Sequence, residues 1–499
     1  MAPTTIAELM QQGVHDHLAL VVPNRASLSY ARLRELTDEA AQALASYGVA
    51  RGDRVAMVFP NGAEAILLFL AASMVATACP LNPAYKEDEF RYYLEDVGAR
   101  FLIVPRGEGE AARRATPEGA TVIEALLDGD GRLHIDGGAN GKRVDSIETS
   151  SAADIGLVLH TSGTTSRPKR VPLRHDNLAA SVANIIATYE LTADDVSLCI
   201  MPLFHVHGLV ASALAAFGSG GTVVAPDRFS PLGFWPLVQA HRPTWFSASP
   251  TPHQLVLARR QDDRPAGSER LRFVRSCSAA LSPTLMALME KRYGVPVLEA
   301  YGMTEASHQM ASNPLPPGAR YPGSVGRGTG VDIAVFDDGG QPLPVGAPGE
   351  VVIRGPNVMR GYENNPRANA EGFYDGWFRT GDQGTLDDGG YLRLIGRLKE
   401  LINRGGEKIA PREIDEVLES HPAVKEAVAF GVPHQTWGEE VAAAVVLAAP
   451  ATEKELLAYS RERLAEFKVP RRLHIVESIP RTPTGKVQRR FVAEQFTRE

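Results

Sequence analysis

The stretch HTSGTTSRPKRV, residues 160–171, contains a run of small and hydroxylated residues that disfavours both a helix and a packed core. A loop that folds around an anion can use such a run, because its hydroxyl and backbone N–H groups are hydrogen-bond donors. The candidate anion-binding residues are Thr161, Ser162, Gly163, Thr164 and Thr165. Lys169 adds a positive charge at the end of the run. The stretch therefore predicts a phosphate-binding loop, and the alternative is a polar surface turn.

The segments on either side give this loop the context of an α/β fold. IGLVLH, residues 155–160, predicts a buried strand. Residues 171–189 predict the end of a second strand and then a helix with Asp176 at its N-cap. The loop differs from the P-loop, because Lys169 is not followed by Ser or Thr at the required spacing.

Length, charge and cysteine content exclude several classes of protein. With 499 residues the chain is too long for one core, and its net charge of -7 argues against a protein that wraps nucleic acid. The three cysteines form no CxxC pair, which argues against a zinc site or a disulfide scaffold and predicts a cytoplasmic location. The N-terminus has no signal-peptide pattern, and the apolar residues 65–81 predict a core helix and a strand rather than a membrane span.

The order of predicted elements indicates the α/β class. Strands and helices alternate over residues 52–105 and again over residues 155–281, which predicts two doubly wound α/β subdomains. Residues 27–46 have helical spacing, and residues 107–143 predict a variable surface region. The glycines, prolines and short β-like runs of residues 323–361 predict a small β-rich subdomain.

The pattern starts again after Leu398, where a helix, two strands, a charged helix and a basic tail follow. We therefore predict a large N-terminal domain over residues 1–397 and a small α+β C-terminal domain over residues 398–499.

Two stretches after the loop carry candidate polar groups. His205 and His207 alternate directly after a predicted strand, and each is either a site residue or a satisfied structural histidine, with His207 the stronger candidate. YGMTEASH, residues 301–308, combines a ring, a hydroxyl, a carboxylate and an imidazole. Beside a phosphate loop, Glu305 is a candidate ligand for Mg²⁺, and the alternative is an acid at a helix N-terminus.

Two later stretches are weaker signals when taken alone. Asp382, in the turn RTGDQG, can accept hydrogen bonds from two ribose hydroxyls beside Arg397, although Gly-Asp turns are common. PTGK, residues 483–486, presents Lys486 on a rigid turn, and the alternative is a solvated basic tail.

Together these motifs resemble those of the adenylate-forming enzymes, which include acyl-CoA synthetases, aryl-CoA ligases, luciferases and peptide-synthetase adenylation domains. TSGTTSRPK, YGMTE, TGD, GRLKELI and PTGK occur in the family's order over essentially the whole chain. PLFHVHGL, FVRSCSAAL and EAYGMTEASHQMASNPLP look like the oxalyl-CoA synthetase branch. Ser166 is shared with that branch, whereas Arg170 replaces a Gly that is usual in the family.

The resemblance implies a two-step reaction that joins a carboxylic acid, here oxalate, to coenzyme A. The acid attacks the α-phosphorus of ATP to give an acyl-adenylate and pyrophosphate, and the CoA thiolate then displaces AMP. The expected nucleotide-binding residues, besides the phosphate loop and Lys169, are Glu299, Ala300, Tyr301, Thr304, Asp382 and Arg397. Glu305 and Thr161 are expected to hold Mg²⁺, and Thr304, Glu305 and Lys486 are the expected catalytic residues.

The resemblance also implies a mobile C-terminal domain. Lys486 is expected at the α-phosphate in the first step, and rotation about the hinge Lys399 then exposes a CoA-binding segment. Its expected CoA-binding residues are Arg404, Gly405 and Gly406.

The acyl pocket follows from the chemistry of the substrate. Oxalate has no apolar part, and a buried carboxylate without a partner is costly, so its pocket needs cations and donors. His207, Ser278 and His308 are the candidates at positions where the family faces the acyl group. Arg275 is a further candidate, but alternation along its strand leaves its direction open. Cys277 is interpreted as a packing residue.

Three alternatives stay open at this point. The same chemistry could act on malonate, because sequence does not measure the room for one more methylene. A carrier-loading adenylation enzyme is disfavoured because no carrier domain follows PTGK, and a non-catalytic binding protein because Lys169, Glu305 and Lys486 are all present. We expect no nucleic-acid or membrane partner, and a monomer or homodimer.

Overall fold

A computed structural model of the chain describes residues 2–25, 27–137, 146–161, 168–259, 265–481 and 487–496. Four β-sheets form the framework of this described part of the chain. Its α-helices are Ile6–Leu9, Tyr30–Ser46, Ala63–Val75, Glu87–Val97, Glu110–Arg114, His175–Tyr189, Val206–Gly208, Ala215–Gly218, Phe234–His241, Pro250–Leu257, Pro283–Tyr293, Pro366–Gly372, Pro411–Glu419, Glu453–Arg461 and Arg489–Phe496. Leu209–Leu214 is a π-helix.

The first sheet has seven strands within the described ranges, and its inner pairs are parallel. In spatial order the strands are Leu133–Asp136, Thr121–Leu127, Phe101–Pro105, Arg54–Met57, Thr77–Pro80, Ile155–Thr161 and Lys169–Arg174. The interpretation of residues 107–143 as a surface region was wrong, because two of these strands lie there. In Thr121–Leu127 the alternate residues Ile123, Ala125 and Leu127 are buried, which is the period of a strand with one covered face.

The second sheet has nine strands in the part of the chain that is described, and parallel pairs join six of them in succession. In spatial order they are Arg327–Gly328, His308–Ser312, Val297–Met303, Phe273–Ser276, Trp245–Ala248, Val196–Leu198, Thr222–Val224, Leu18–Val21 and Ser27–Ser29. Both edges are antiparallel. The parallel register places Ser247 directly beside Arg275.

Two predicted helix starts were wrong. Residues 27–29 form a strand, and the helix begins at Tyr30, where the Ser29 hydroxyl accepts a hydrogen bond from the Arg32 N–H at 3.3 Å. Asp176 is not an N-cap, because the helix already begins at His175. The Asp176 carboxylate instead accepts a hydrogen bond from the Arg174 side chain.

Two smaller sheets follow along the described chain. The β-rich sheet begins in the predicted residues 323–361 but continues to residue 397, and its strands are Asp332–Phe336, Gly349–Arg354, Trp377–Leu386, Phe373–Tyr374 and Leu392–Arg397. The C-terminal sheet contains Glu407–Ile409, Ile402–Arg404, Gly438–Leu447, Val424–His434 and Arg472–Ile475, and has its own apolar core. The predicted boundary falls in the 3-10 turn Leu398–Glu400, between these two sheets, and the division at that point stays a prediction.

The predicted α/β class, with two large sheets, a β-rich sheet and a small C-terminal α+β part, is confirmed. Cys277 is buried, as are Cys79 and Cys199, and all three are free thiols. No helix of the described residues combines the length and apolar composition that crossing a membrane requires.

Candidate active site

Arg275 is the centre of a buried polar cluster on one face of the nine-stranded sheet. Its side chain is fully buried. The Nε–H donates to the Tyr189 hydroxyl at 2.8 Å, one terminal nitrogen donates to Ser247 Oγ at 2.9 Å, and the other donates to Gln309 Oε1 at 3.1 Å. The direction of Arg275, which the sequence left open, is thereby given by three side-chain hydrogen bonds.

The two predicted pocket histidines lie against this guanidinium. Its terminal nitrogens are 3.4 Å from His207 Nε2 and 3.3 Å from His308 Nδ1, and the two imidazole rings are 5.1 Å apart. His207 is also 2.9 Å from Ser278 Oγ and 2.7 Å from Ser247 Oγ. The four residues predicted for the acyl pocket therefore meet at one place, although their roles stay predictions. We call Tyr189, His207, Ser247, Arg275, Ser278, His308 and Gln309 the arginine cluster.

Among the described residues, the Arg275 guanidinium forms hydrogen bonds to neutral side chains and no ion pair with a carboxylate. A guanidinium does not lose its proton at ordinary pH, so burial cannot neutralise it. A buried charge of this kind is costly unless an opposite charge reaches it. The cluster can therefore act as a receptor for an anion.

Local backbone geometry at the arginine cluster is unusual. Ser278 and His308 have φ angles of 75° and 114°, in the region that favours glycine. Gly208, which follows His207, has no room for a side chain, because a Cβ there would lie 2.3 Å from the Pro202 carbonyl oxygen. The π-helix Leu209–Leu214 comes next, and such turns occur frequently at functional sites. Strained positions like these are typical of binding sites.

Asp382, Arg397 and Tyr301 form a second polar group. Asp382 and Arg397 are paired across neighbouring strands, with Arg397 Nε 2.7 Å from Asp382 Oδ1. The Tyr301 hydroxyl donates to the other oxygen of Asp382. Burial, with a further contribution from the Asp382 charge, raises the pKa of Tyr301, so its hydroxyl stays protonated. The pair predicted for ribose is thus present, with Tyr301 beside it.

Glu299 lies two residues before Tyr301 on the same strand and is almost fully buried. Its Oε1 accepts a hydrogen bond from the Leu281 N–H at 3.0 Å, whereas its Oε2 has no hydrogen-bond partner within the described part of the chain. Burial raises the pKa of Glu299 to about 7, and the positive charge of Arg412 opposes this rise. Ala300 is buried next to it. The unpaired oxygen is consistent with a ligand group that approaches Glu299.

Glu305 and Lys169 meet around one tyrosine. The Tyr362 hydroxyl donates to Glu305 Oε1 at 2.7 Å, and Lys169 Nζ is 4.4 Å from the centre of the Tyr362 ring. Burial lowers the pKa of Lys169, and the Glu305 charge opposes this change. Thr304 begins the 3-10 turn that carries Glu305, and Thr161 pairs with Lys169 across two strands. We call Lys169, Tyr301, Glu305, Tyr362, Asp382 and Arg397 the nucleotide face.

The nucleotide face fits Mg²⁺ only as part of a complex with phosphates. No three His, Cys, Asp or Glu side chains of the described residues come together as a metal site. Glu305 offers one carboxylate, whose second oxygen is not used by Tyr362. Mg²⁺ is commonly bound by one or two carboxylates together with substrate phosphates and water, so this single acid suffices.

Arg170 is held by residues of two other segments. Its side chain donates to the Asp96 carbonyl, and its charged end is 3.6 Å from a Glu363 carboxylate oxygen. The arginine that replaces the family's usual glycine is thus paired with the acidic residues Asp96 and Glu363. Ser162, Gly163, Thr164, Thr165 and Ser166 themselves lie outside the described residues.

The predicted C-terminal site residues are only partly covered. Lys486 lies outside the described residues, whereas Arg481 and Val487 on either side of it form a β-bridge. Lys399 is exposed on its 3-10 turn.

The predicted CoA-binding segment lies at the edge of the C-terminal sheet. Arg404 bonds to both oxygens of Glu440, and the Gly405 N–H donates to the Trp437 carbonyl at 2.8 Å. Gly405 and Gly406 have positive φ angles of 59° and 94°, which a tight turn requires. The predicted roles of these residues are not tested by this geometry.

Sequence reasoning missed three members of the arginine cluster: Tyr189, Ser247 and Gln309. A signal existed for Ser247, because it is a polar residue inside the apolar strand Trp245–Ala248. Tyr189 and Gln309 come from a helix end and an antiparallel strand, and only the register brings them to Arg275.

Comparison with known proteins agrees with this geometry. Residues 8–363 match the family described as AMP-binding enzyme, and residues 413–486 match its C-terminal domain. The chain belongs to the AMP-binding enzyme family. The predicted family resemblance is therefore confirmed, over most of the chain.

Three curated relatives have long alignments. An oxalate–CoA ligase of Arabidopsis thaliana is 46% identical over 96% of this chain and 96% of its own length. An oxalate–CoA ligase of Saccharomyces cerevisiae is 44% identical over 97% and 96%. A sulfoacetate–CoA ligase of Cupriavidus necator is 39% identical over 89% and 88%.

Among solved structures, MatB from Rhodopseudomonas palustris is similar in two states. The ATP-bound form has a TM-score of 0.90 and the apo form a TM-score of 0.80. Both are 31% identical and cover 100% of this chain and 99% of MatB.

Proposed function

We propose that this chain joins oxalate to coenzyme A through oxalyl-AMP, with release of pyrophosphate and then AMP. Family membership makes the chain an AMP-forming acid–thiol ligase that uses ATP and CoA. The proposal concerns which acid the enzyme uses and which residues bind the substrates and catalyse the two steps. The reaction takes place in the cytoplasm, which the three free, buried cysteines support.

The observation that carries the choice of a small acid with two negative charges is the buried Arg275. One carboxylate of oxalate reacts, and the other stays ionised and needs a cation where it is buried. The guanidinium of Arg275, with His207, His308 and Ser278 around it, supplies that cation and further polar groups. The two oxalate–CoA ligases at 46% and 44% identity support the same acid.

A second candidate is another small acid with two negative charges. Sulfoacetate carries a carboxylate and a sulfonate, and a ligase for it is 39% identical to this chain. Malonate has the same charge pattern with one more methylene. An arginine without a counter-charge suits each of these acids, so the charge alone does not select among them.

In the first step, residues of the nucleotide face would bind ATP. Asp382 and Arg397 would hold the ribose, and Tyr301 would stack on adenine beside Glu299 and Ala300. The phosphates would be held by Lys169, Thr304 and the loop residues Thr161, Ser162, Gly163, Thr164 and Thr165. Because an anion attacks a polyanion, these groups must neutralise charge before the new bond can form.

Glu305 and Thr161 would hold Mg²⁺, which lowers the charge of the phosphates when it is bound. Lys486 would lie between the α-phosphate and the acid and stabilise the charge that develops there. The N–H donors and the lysines thus act on the reacting phosphate oxygens, while Arg275 keeps the second carboxylate away from them.

In the second step, the C-terminal domain, residues 398–499, would rotate about Lys399 relative to residues 1–397. Arg404, Gly405 and Gly406 would then line the path of CoA. The higher TM-score with ATP-bound MatB than with apo MatB supports a present arrangement that resembles the ATP-bound form. Rotation is needed because Lys486 and the CoA thiol use the same side of the adenylate.

A pyrophosphate-release panel tests the choice of acid. Oxalate, malonate, sulfoacetate, acetate, a fatty acid and amino acids are supplied separately at equal concentration with ATP and Mg²⁺. We expect oxalate to have the highest kcat/KM. A clear preference for any other acid overturns the assignment of oxalate, and a preference for acetate or a fatty acid also overturns the role of Arg275.

Separate assays of the two half-reactions test Lys486. Lys486→Ala should abolish formation of the acyl-adenylate and leave CoA transfer from a supplied adenylate largely intact. Lys454→Ala, an exposed lysine of the same domain, is the control and should change neither step. Equal loss of both steps in Lys486→Ala would refute its role.

A further inference from the structure

Gln309 contacts Arg275 from the strand that also carries His308. We propose that Gln309 is a specificity-determining positioning residue, whose neutral amide holds the Arg275 guanidinium without cancelling its charge. The guanidinium then stays available to the second negative group of a small dianionic acid. This inference rests on the proposed function and adds the reason why no neighbouring side chain cancels the charge of Arg275.

The orientation of the Gln309 amide follows from two threonines. The Thr188 and Thr329 hydroxyls donate to backbone carbonyl oxygens at 2.6 and 3.3 Å, so each offers only lone pairs to Gln309. Gln309 Nε2 donates to both hydroxyls, at 3.2 and 3.3 Å. Because the nitrogen is held on that side, the oxygen must face Arg275. A flipped amide would set an NH₂ group against the guanidinium.

The Gln309 oxygen accepts two hydrogen bonds. One comes from Arg275 at 3.1 Å, and the other comes from the Tyr189 hydroxyl at 2.9 Å. Tyr189 in turn accepts the Arg275 Nε–H bond. Gln309 therefore contacts both the guanidinium and the tyrosine that supports it.

The three side-chain acceptors closest to the Arg275 guanidinium are neutral. They are a phenol, a serine hydroxyl and an amide, from Tyr189, Ser247 and Gln309. Burial raises the pKa of Tyr189, so its hydroxyl remains protonated despite the nearby arginine. A glutamate at position 309 would have the same size and reach, and its carboxylate would form a buried ion pair with Arg275. The carboxylate at position 309 would then pair with Arg275 in place of the second carboxylate of the substrate.

Two substitutions at position 309 separate a charge role from a packing role. Gln309→Glu keeps the size and an acceptor for Arg275 but adds a negative charge. Gln309→Met keeps the size approximately and removes the acceptor without adding charge. We expect kcat/KM for oxalate to fall about 100-fold in Gln309→Glu and about 10-fold or less in Gln309→Met. KM for ATP should be unchanged in both.

The order of the two effects decides the question. If Gln309 only supported the fold, Gln309→Glu and Gln309→Met would be impaired alike, because each loses the Nε2 donor to Thr188 and Thr329. A Gln309→Glu enzyme within about 5-fold of the wild type, or no more impaired than Gln309→Met, overturns the proposal. Titration calorimetry with oxalate in the presence of AMP gives a second readout, in which Gln309→Glu should lose oxalate binding and keep AMP binding.

Ser247 provides the same test at another acceptor, in case the Gln309→Glu protein does not fold. Ser247→Asp adds a carboxylate beside Arg275, and Ser247→Asn is its neutral counterpart. We expect oxalate use to be lost in the first and partly kept in the second. Equal loss in both would contradict the proposal.

The wild-type acid panel separates failure of this inference from failure of the proposed function. If the wild type prefers another dianionic acid, the substitutions are compared with that acid and the same order is expected. If the wild type uses only acids with a single charge, the proposed function and this inference both fall. If it uses a dianion but Gln309→Glu is unimpaired, only this inference falls.

Discussion

Arg275 and Glu299 are both buried on neighbouring strands, but the protein handles their charges differently. The register pairs Ser276 with Glu299, so Arg275 points to the opposite face of the sheet. Every nitrogen of the Arg275 guanidinium has a neutral hydrogen-bond partner, whereas Glu299 leaves one oxygen unpaired. With a pKa of about 7, Glu299 can take up a proton instead.

This difference suggests how the two halves of the site work. Arginine keeps its charge at any working pH, so the acid pocket is prepared for an anion before the substrate arrives. Glu299 lies two residues before Tyr301 of the nucleotide face, and the charge of its carboxyl group changes near neutral pH. Substitutions in the arginine cluster and in the nucleotide face show whether binding of the acid and binding of ATP are as independent as the geometry indicates.

The largest effect is expected at Arg275. Arg275→Met removes the only buried cation of the arginine cluster that cannot lose its charge, and about 4 kcal/mol of transition-state stabilisation should be lost, or roughly 1,000-fold in kcat/KM for oxalate. KM for ATP should stay the same. Arg354→Met, which removes an exposed arginine bonded to Asp332, is the control. A parallel rise in KM for ATP would contradict the separation of the two regions.

The second effect is expected in the pH dependence of the free energy of unfolding when Glu299 is replaced. The folded pKa of about 7 is above the ordinary value of 4.5, so the native state holds the proton more tightly than the unfolded chain does. The stability from this group is complete below about pH 4.5 and is lost as pH rises toward 7. Glu299→Gln should therefore be as stable as the wild type at pH 5 and more stable at pH 8, by on the order of 1–3 kcal/mol.

Urea unfolding of the ligand-free protein at several pH values measures this difference. Glu477→Gln replaces an exposed carboxyl group and should leave the pH dependence unchanged. If Glu299→Gln and the wild type lose stability in parallel between pH 5 and pH 8, the buried-acid account of Glu299 is wrong.

The third effect is expected at Asp382. Asp382→Asn removes the charge that holds Arg397 and accepts the Tyr301 bond, and KM for ATP should rise about 30-fold, or about 2 kcal/mol. Oxalate affinity should not change. Asp332→Asn is a matched control in the same sheet, because Asp332 also pairs with an arginine but is exposed. An effect on oxalate equal to that on ATP would show that the regions are coupled.

The smallest effect concerns the contact between the C-terminal tail and the large domain. Arg481, five residues before Lys486 in the sequence, donates to Thr251 Oγ1 at 2.8 Å. Thr251→Val removes this bond and should slow adenylate formation about 3-fold, since an exposed hydrogen bond contributes less than about 1 kcal/mol. CoA transfer from a supplied adenylate should be unaffected.

Thr284→Val is the matched control for Thr251→Val. Thr251 and Thr284 each follow the first proline of a helix, in Pro250–Leu257 and Pro283–Tyr293, and Thr284 is exposed. Thr284→Val should change neither step. Loss of CoA transfer in Thr251→Val would show that the contact belongs to a different arrangement of the domains.

Much of the fold could be predicted because its signals are local. The helix Ala63–Val75 and the strand Phe101–Pro105 lie within residues 52–105, where alternating strands and helices were predicted, since continuous apolar runs mark buried elements. The strand Thr121–Leu127 was missed because charge and glycine around it concealed its alternation. The N-cap of the helix His175–Tyr189 was predicted two residues too late, at Asp176 instead of Arg174, because an acid in the first turn resembles an N-cap.

The candidate site divides in a similar way. Substrate chemistry was enough to predict His207, Ser278, His308 and, with its direction open, Arg275. Gln309 was not predicted, because its importance comes from contacts with a helix end and with a residue of another strand. The neutral character of the acceptors around a charge is a property of the assembled cluster, and no single segment of the sequence contains it.

The most direct test of the central claim compares oxalate with glycolate in pyrophosphate release by the wild-type enzyme. Glycolate has nearly the same size but carries a hydroxyl where oxalate has its second carboxylate. If buried Arg275 pairs with the second carboxylate of oxalate, kcat/KM for oxalate should exceed kcat/KM for glycolate by at least about 100-fold. With glycolate, the charge-assisted hydrogen bond is lost and the buried cation stays unpaired. Equal use of the two acids would contradict the account.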